Sequence, residues 1–512
     1  MRTCVRLGVL LAVAGVVLVS SAETGASPGT TERVSVGYLG EGNLGSLAPS
    51  ISADGRYVAF ESDATNLVPG DTDACGQPPN TYNCPDIFVR DRQTSTTERV
   101  SVSSGGVQAN GESWTPSISA DGRYVAFDSD ATNLVADDTN AKTDVFVHDR
   151  QTGVTERVSV GDLGEGNLGS LAPSISADGR YVAFESDATN LVSGDTNGVT
   201  DVFVHDRQTG ATERVSVSST GTQGDQPSYD AALSGNGRYV AFQSSATNLV
   251  ADDTNAKTDV FVRDRQTGTT TRVSVDSAGA QANGTSCFRG LEAIRCPAIS
   301  ADGRYVAFYS LASNLVPADT NGAQDVFVHD LQTRATTRAS VDSAGYEGND
   351  WSMQPAISSD GRYVAFDSLA SNLVAGDTNT ARDVFLHDRH TGATLRVSVS
   401  SASGEGDHGS LQAAISADGR YVAFSSFASN LVPGDTNNFC GPGRDENCPD
   451  VFVHDRGIPV GGIAELPEAA QTPVAQSASS DLPYAALLAA LAAAGAGVLS
   501  VGAWYARRRW VR

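Results

Sequence analysis

The string Ile51-Ser-Ala-Asp-Gly-Arg-Tyr-Val-Ala-Phe60 recurs six more times, with small changes, from Ile118, Ile175, Leu233, Ile299, Ile357 and Ile415. The seven copies are most often 58 residues apart. No other feature constrains the fold as strongly. A repeat of this length cannot bury its own apolar face, so it must stack on copies of itself in a solenoid, propeller or array. The segment that carries the repeats is poor in helix formers and rich in Ser, Thr, Val, Gly and Asp, a composition that favours strands and turns.

Within one unit the pattern reads as four strands. In the third copy a short strand ends at residues 174–176, and Asp178-Gly179 predicts a type I′ hairpin turn. Residues 180–185 form the second strand. Its consecutive Tyr181, Val182, Ala183 and Phe184 mark a strand buried on both faces, as between neighbouring sheets. A long loop follows, then a third strand at 201–205, a turn at Gln208-Thr209-Gly210, and an alternating fourth strand at 212–217. A four-stranded meander of this kind is a propeller blade. The seventh unit stops after its third strand, at His454-Asp455-Arg456, while an orphan fourth strand, Thr31-Glu-Arg-Val-Ser-Val36, precedes the first. Ring closure reconciles the two ends and removes the exposed sheet edges. The expected fold is therefore all-β: a seven-bladed propeller of four-stranded blades over 31–456, closed by an N-terminal strand. Residues 34–68 and 158–192 differ only at Tyr38 against Asp162, so much of the repeated detail reflects copying.

Ser-Ala-Asp-Gly-Arg-Tyr-Val-Ala-Phe followed by Asp-Val-Phe-Val-His-Asp resembles the WD40-like (PD40-type) repeat of TolB-type propellers across nearly all of 31–456. The resemblance implies the propeller fold. The chain departs from TolB in having seven units where TolB has six blades, in lacking a separate N-terminal domain, and in carrying an apolar C-terminal segment. The role that the resemblance would imply, a periplasmic partner in the Tol–Pal envelope system, is not carried over. The same repeat occurs in propellers attached to peptidases, but here a linker follows the last unit.

Both ends of the chain point to export. Residues 1–22 read as a signal peptide: Arg2 and Arg6, an apolar run over 7–19, and a small-residue site at Ser20-Ser21-Ala22. Residues 457–481 form a Pro/Ala/Ser-rich linker. Residues 482–506 are expected to be a transmembrane helix, with an uncharged stretch at 484–505 and aromatic Trp504 and Tyr505 at its end. The basic tail 507–512 would stay cytoplasmic, leaving the propeller outside as a single-pass membrane protein. Six cysteines fall in three local pairs, Cys75/Cys84, Cys287/Cys296 and Cys440/Cys448, and an oxidising compartment would join each pair as a disulfide. The formal net charge of −25 sets nucleic-acid binding aside, because a phosphate backbone repels such a surface.

Two sets of residues could carry chemistry. The loop before each third strand holds Asp and Asn at alternate positions: Asp138, Asn140, Asp144; Asp195, Asn197, Asp201; Asp253, Asn255, Asp259; Asp319, Asn321, Asp325; and Asp377, Asn379, Asp383. Such oxygens can wrap Ca²⁺; the alternative is Asx-turn chemistry, with no cofactor. The second set lies where the copies differ, in the connections between units: Trp114, Tyr229, Phe288, Arg289, Tyr346, Trp351 and His408. Aromatic and arginine side chains on loops of a rigid scaffold are typical binding anchors. His148, His205, His329, His387 and His454 exchange with Arg90 and Arg263 in two units, which speaks against catalysis and predicts exposed strand residues. No catalytic motif stands out. The expectation is a non-catalytic cell-surface module that binds an envelope or extracellular protein or glycan. The alternatives are a polymer-degrading hydrolase or lyase, which an acid–base cluster at the channel mouth would favour, and a passive spacer stabilised by Ca²⁺ or by its Asx turns alone.

Overall fold

The computed structural model describes residues 29–72, 74–77, 80–288, 295–437 and 447–457. The expected signal peptide, the linker after residue 457 and the membrane segment lie outside them. Among the described residues no helix is long and apolar enough to cross a membrane.

Seven four-stranded antiparallel sheets form among these residues. Blade three is representative, with strands Ser170–Ile175, Tyr181–Ser186, Asp201–Asp206 and Ala211–Arg214 in spatial order. Blade seven takes Ser410–Ile415, Tyr421–Ser426 and Asp450–Asp455 from the end of the repeats, and its fourth strand, Thr30–Arg33, from the other end of the chain. That strand pairs antiparallel with Asp450–Asp455, Thr30 opposite Asp455 and Arg33 opposite Phe452. The closure anticipated from the orphan strand is thus present.

The consecutive apolar run in each second strand is buried on both faces, as its pattern predicts. Val182, Ala183 and Phe184 are all fully buried. One side packs in a cluster with Ala126, Val145 and Val147 of blade two, the other with Val215, Val240 and Phe242 at the border with blade four. Within every blade the phenylalanines of the second and third strands lie 5.9–6.0 Å apart between ring centroids.

A second interlock runs around the hairpin side of the ring. The Tyr124 ring of blade two lies beneath its own Arg123, at 4.7 Å, and beneath Arg207 of blade three, at 4.4 Å. Arg123 is fixed by a two-point ion pair with Asp149, at 2.8 and 2.7 Å, and Arg207 donates to the carbonyl of Gly179. Gly179 packs edge-on against Tyr124, so that a Cβ there would stand 2.1 Å from the ring. Blade five breaks the pattern: Leu331 replaces the second arginine and packs with Tyr239 in an apolar cluster.

The Asp-Gly turn differs from the type I′ expectation. Gly179 has φ 74°, but Asp178 is not in the left-handed region. The turn closes through Gly179 N–H to the Ser176 carbonyl at 2.9 Å. Asp178 Oδ1 accepts from the Ser176 hydroxyl, at 2.7 Å, and from Arg180 N–H, at 3.0 Å. The aspartate side chain therefore organises a longer loop, and only the glycine needs positive φ.

Comparing two glycines tests the interlock. Gly153→Ala meets open space at φ 73° and should lower stability by about 1 kcal/mol, the left-handed strain alone. Gly179→Ala adds a clash with Tyr124 and should cost about 2–4 kcal/mol. Urea midpoints of the two variants measure the difference, and equal losses would mean that the ring contact is not tight.

Candidate binding site at the mouth of the central channel

The first strands surround a central cavity of about 440 Å³. Each regular first strand carries a β-bulge, at Leu47/Ser50 in blade one and Trp114/Ser117 in blade two, for example. The bulge residue adopts positive φ in six blades: Ala48 51°, Thr115 50°, Ala172 52°, Asp230 52°, Gln354 49° and Gln412 58°. Positive φ is costly for such residues and is held only where surrounding contacts over-determine it. In four of these blades the strained N–H group bonds a side chain of the preceding blade. Thr115 N–H bonds Glu61 Oε2 at 3.1 Å, Ala172 N–H bonds Asp128 Oδ1 at 3.3 Å, Asp230 N–H bonds Glu185 Oε2 at 3.0 Å, and Ala48 N–H bonds Gln412 Oε1 at 2.9 Å.

The acceptors Glu61, Asp128 and Glu185 share one position, the residue after Tyr-Val-Ala-Phe. The seven blades carry Glu61, Asp128, Glu185, Gln243, Tyr309, Asp367 and Ser425 there. Sequence reasoning passed over this position because it sits inside the most uniform string of the repeat. Its variation across the copies was the available signal. All but Glu61 are fully buried, and Asp367 pairs with Arg382 at 3.3 Å.

One more charge reaches this mouth from blade five. The disulfide Cys287–Cys296 interrupts the first strand, leaving an isolated Ser286–Ser310 bridge before it and the paired Ala298–Ile299 after it. Arg295, beside Cys296, extends across the channel and donates to the Pro116 carbonyl of blade two at 2.9 Å. Solvent reaches Arg295 through the channel although protein surrounds it. Burial lowers its pKa, opposed by the charges of Glu61, Asp128 and Asp230. Burial pushes Glu61 up, and Asp128 well up, the latter helped by the Glu61 charge. Both carboxylates touch Thr115, Asp128 through the Thr115 hydroxyl. The mouth thus combines a strained backbone, acids that resist ionisation and one bridging guanidinium.

The predicted anchors lie on the side of the ring where the blade connections run, spread over several blades. Trp114 and Tyr229 are half-buried on first strands, opposite Asp128 and Gln243. Phe288, Tyr346 and Trp351 are exposed, and His408 sits at the surface with Asp407 at 3.3 Å. None of these six lines the channel, and Arg289 falls outside the described residues.

The acidic loops converge as sets. Asp138, Asp144 and Glu165 bring carboxylate oxygens within 4.8 Å of one another, as do the sets containing Asp319, Asp377 and Asp435. Such clusters could hold a cation. In each, an arginine from the blade's outer strand already supplies positive charge: Arg157 Nη1 lies 3.6, 3.4 and 2.7 Å from Asp138, Asp144 and Glu165. Arg214, Arg272, Arg338 and Arg396 do the same beside Asp195/Asp201, Asp253/Asp259, Asp319/Asp325 and Asp377/Asp383. Asn140, Asn197, Asn255, Asn321 and Asn379 each donate to the third-strand aspartate. Burial raises Asp319 and Asp377 to about 6, and raises Asp435 to about 7 with help from Asp450.

The histidines correct the sequence reading: His148, His205, His329, His387 and His454 are buried, 3–7 % exposed. The alternation of the third strand does not reveal this, because the neighbouring blade's connection covers that face. Thr155 Oγ1 donates to the Val102 carbonyl of the preceding connection, so it accepts from His148 Nδ1 at 2.8 Å. Arg263 serves the same purpose in blade four, donating to Thr270 Oγ1 at 3.0 Å and the Ser218 carbonyl at 3.1 Å. Both residue types donate to the outer-strand threonine that bonds the preceding connection, and Arg263 also reaches that connection directly, which explains their exchange. Of the cysteine pairs, Cys75–Cys84 and Cys287–Cys296 are joined. Cys448 is disulfide-bonded, and Cys440 lies outside the described residues.

No protein-family model matches the chain, and no curated protein matches it. Solved structures do. The chain is a seven-bladed β-propeller with TolB-like repeats, similar to TolB from Acinetobacter baumannii at 15 % identity over 70 % of this chain, with a TM-score of 0.35. It spans 64 % of the length of that protein. It is also similar to an oligogalacturonate lyase in complex with manganese (11 % identity, 84 % of this chain and 96 % of the other, TM-score 0.47). The β-propeller domain of the Trilobed protease from Pyrococcus furiosus is similar at 10 % identity (81 % of this chain, 94 % of the other, TM-score 0.46). These likenesses concern the fold alone.

Two measurements follow from this geometry. Burial holds His387 and His454 at about 4, below the ordinary value of 6.5. The unfolded chain then takes up protons below pH 6.5 while the folded chain does not, so stability falls as pH drops from 6.5 towards 4. For His387 the loss at pH 5 is about 2 kcal/mol. His387→Gln should flatten that part of the stability–pH curve by this amount; the raised Asp319 and Asp377 act in the opposite sense in both proteins and cancel in the difference. Separately, Arg157→Gln should cost about 3–5 kcal/mol by leaving buried carboxylates uncompensated. Millimolar Ca²⁺ should restore much of that Tm loss while shifting the parent little, because guanidinium and cation compete for the same oxygens.

Proposed function

We propose that this chain is a non-catalytic binding propeller, exported and tethered by its C-terminal segment, that takes an extracellular protein or glycan on the side where the blade connections run and the variable mouth of the channel opens. The observation that carries this reading is the uneven loss of repetition. The hairpin side keeps its Tyr–Gly–Arg interlock in almost every blade, whereas around the mouth the equivalent positions differ from copy to copy, as in Glu61, Asp128, Glu185 and Gln243 after Tyr-Val-Ala-Phe and in Thr115, Asp230 and Gln354 at the bulges. A scaffold that needed only stability would keep the mouth as regular as the turns. Tyr346 and Trp351, exposed near the same side, give an aromatic rim suited to a sugar face or an apolar side chain.

A second reading has its own support. Glu61 and Asp128 are carboxyls of raised pKa that share Thr115 beside Arg295. Perturbed acids around a cavity are what general acid–base chemistry uses, and a hydrolase or lyase acting on a polymer would work there. In that case Asp128→Asn would abolish turnover of a polysaccharide without weakening its binding.

Retention of the full chain on washed cell envelopes and on medium polysaccharide tests the first reading. The parent and a Gln208→Ala variant, altered on the hairpin side, should be retained alike. Tyr346→Ala/Trp351→Ala should be retained at least tenfold more weakly. Equal retention of all three would remove the variable side from the binding reading.

A further inference from the structure

We propose that the channel mouth holds a hydroxyl-rich unit, the terminal sugar of a glycan, between Gln354, Arg295, Asp128 and Asp230. This rests on the binding reading above and names its ligand class.

The inference starts from an unmet hydrogen-bonding need. Gln354 occupies the bulge position of blade six, at φ 49°, and is only 4 % exposed. It lines the channel, and its Nε2 has no hydrogen-bond partner among the described residues. The repeat does not require an amide here, since blades one and three carry Ala48 and Ala172 at the equivalent position. A buried amide without an acceptor is destabilising, and so is positive φ on glutamine. Two penalties at one residue that faces a cavity mark a position held for a ligand.

The rest of the lining sets the chemistry. Gln354 Nε2 needs an acceptor, and the Arg295 guanidinium, which gives one N–H to Pro116, is a donor at the same mouth. Asp128 and Asp230 line the same cavity, and their carboxyl oxygens can accept donors beyond those that Thr115, Ala172 and Gln243 already supply. A hydroxyl group donates and accepts at once, so a polyol satisfies both kinds of group. A metal ion or an ammonium group would suit the carboxylates, but it would sit beside Arg295 and leave the Gln354 amide facing another positive charge. An anion would face the acids. The walls supply apolar surface from Pro173, Pro297 and Ile357, which suits the C–H face of a pyranose. A cavity of about 440 Å³ admits a mono- to disaccharide.

Saturation-transfer NMR on the full chain tests the proposal, with glucose, galactose, mannose, arabinose and N-acetylglucosamine as probes, and putrescine and Mn²⁺ titrated separately. At least one sugar should give a signal that weakens tenfold or more in both Gln354→Leu and Asp230→Asn, and persists in Gln208→Ala. Gln354→Leu should keep or raise the Tm, because it removes an unpartnered buried amide; a glutamine with a purely structural role would lower it. The proposal falls if no sugar gives a signal, if the signal survives Gln354→Leu, or if only putrescine or Mn²⁺ binds, which would make the mouth a cation site. Envelope retention separates the two levels. If Gln354→Leu is retained like the parent while the sugars fail, the binding reading stands without this site. If the parent is not retained at all, the binding reading falls as well.

Discussion

Each blade of this ring depends on the cover that its two neighbours provide. The second strand of every blade is apolar on both faces, and burial of those faces in water is the largest favourable term available to a protein. A single blade would expose both. Stacking hides one face of each terminal blade at best, so only closure completes the cover. The pairing of Thr30–Arg33 with Asp450–Asp455 is therefore the contact on which the other six interfaces rely. It brings Val34 into a cluster with Val451 and Val453, so the strand closes the core as well as the sheet.

Around that core, polar groups are arranged as inter-blade fasteners. The Tyr–Gly–Arg interlock joins the hairpin turn to the ring of the preceding blade everywhere but at blade five, and buried His or Arg donors hold the outer-strand threonine that bonds the preceding connection. On the opposite side, one arginine per blade gathers the loop carboxylates. A chain of net charge −25 thus keeps its most buried acids beside guanidinium groups. Pairing of this kind is demanding: breaking one partner leaves an uncompensated buried charge, so the outer arginines are structural whether or not a cation ever visits them.

The channel mouth follows a different logic. Bulges there force six non-glycine residues into positive φ, and in four of them a carboxyl or amide of the preceding blade accepts from the strained N–H. Strain repeated around a ring but satisfied by different side chains in each blade gives a fixed framework with a variable lining. Such a framework can acquire specificity one residue at a time without disturbing the interfaces behind it.

Much of this was legible in the chain itself. Seven copies of Ser-Ala-Asp-Gly-Arg-Tyr-Val-Ala-Phe fix the number of blades, and the doubly apolar run identifies the central strands. The displaced fourth strand announces closure. These are local or periodic properties, and hydrophobic period together with turn chemistry specifies them directly. The burial of His148 and its counterparts was hidden, because what covers them belongs to a neighbouring blade. The outer-strand arginines were hidden in the same way: Arg157 meets Asp138 only after the strand pairs. Above all, sequence could not place Arg295 against Pro116, residues 179 positions apart. Their meeting depends on the curvature of the closed ring, which every interface sets together and no single segment encodes.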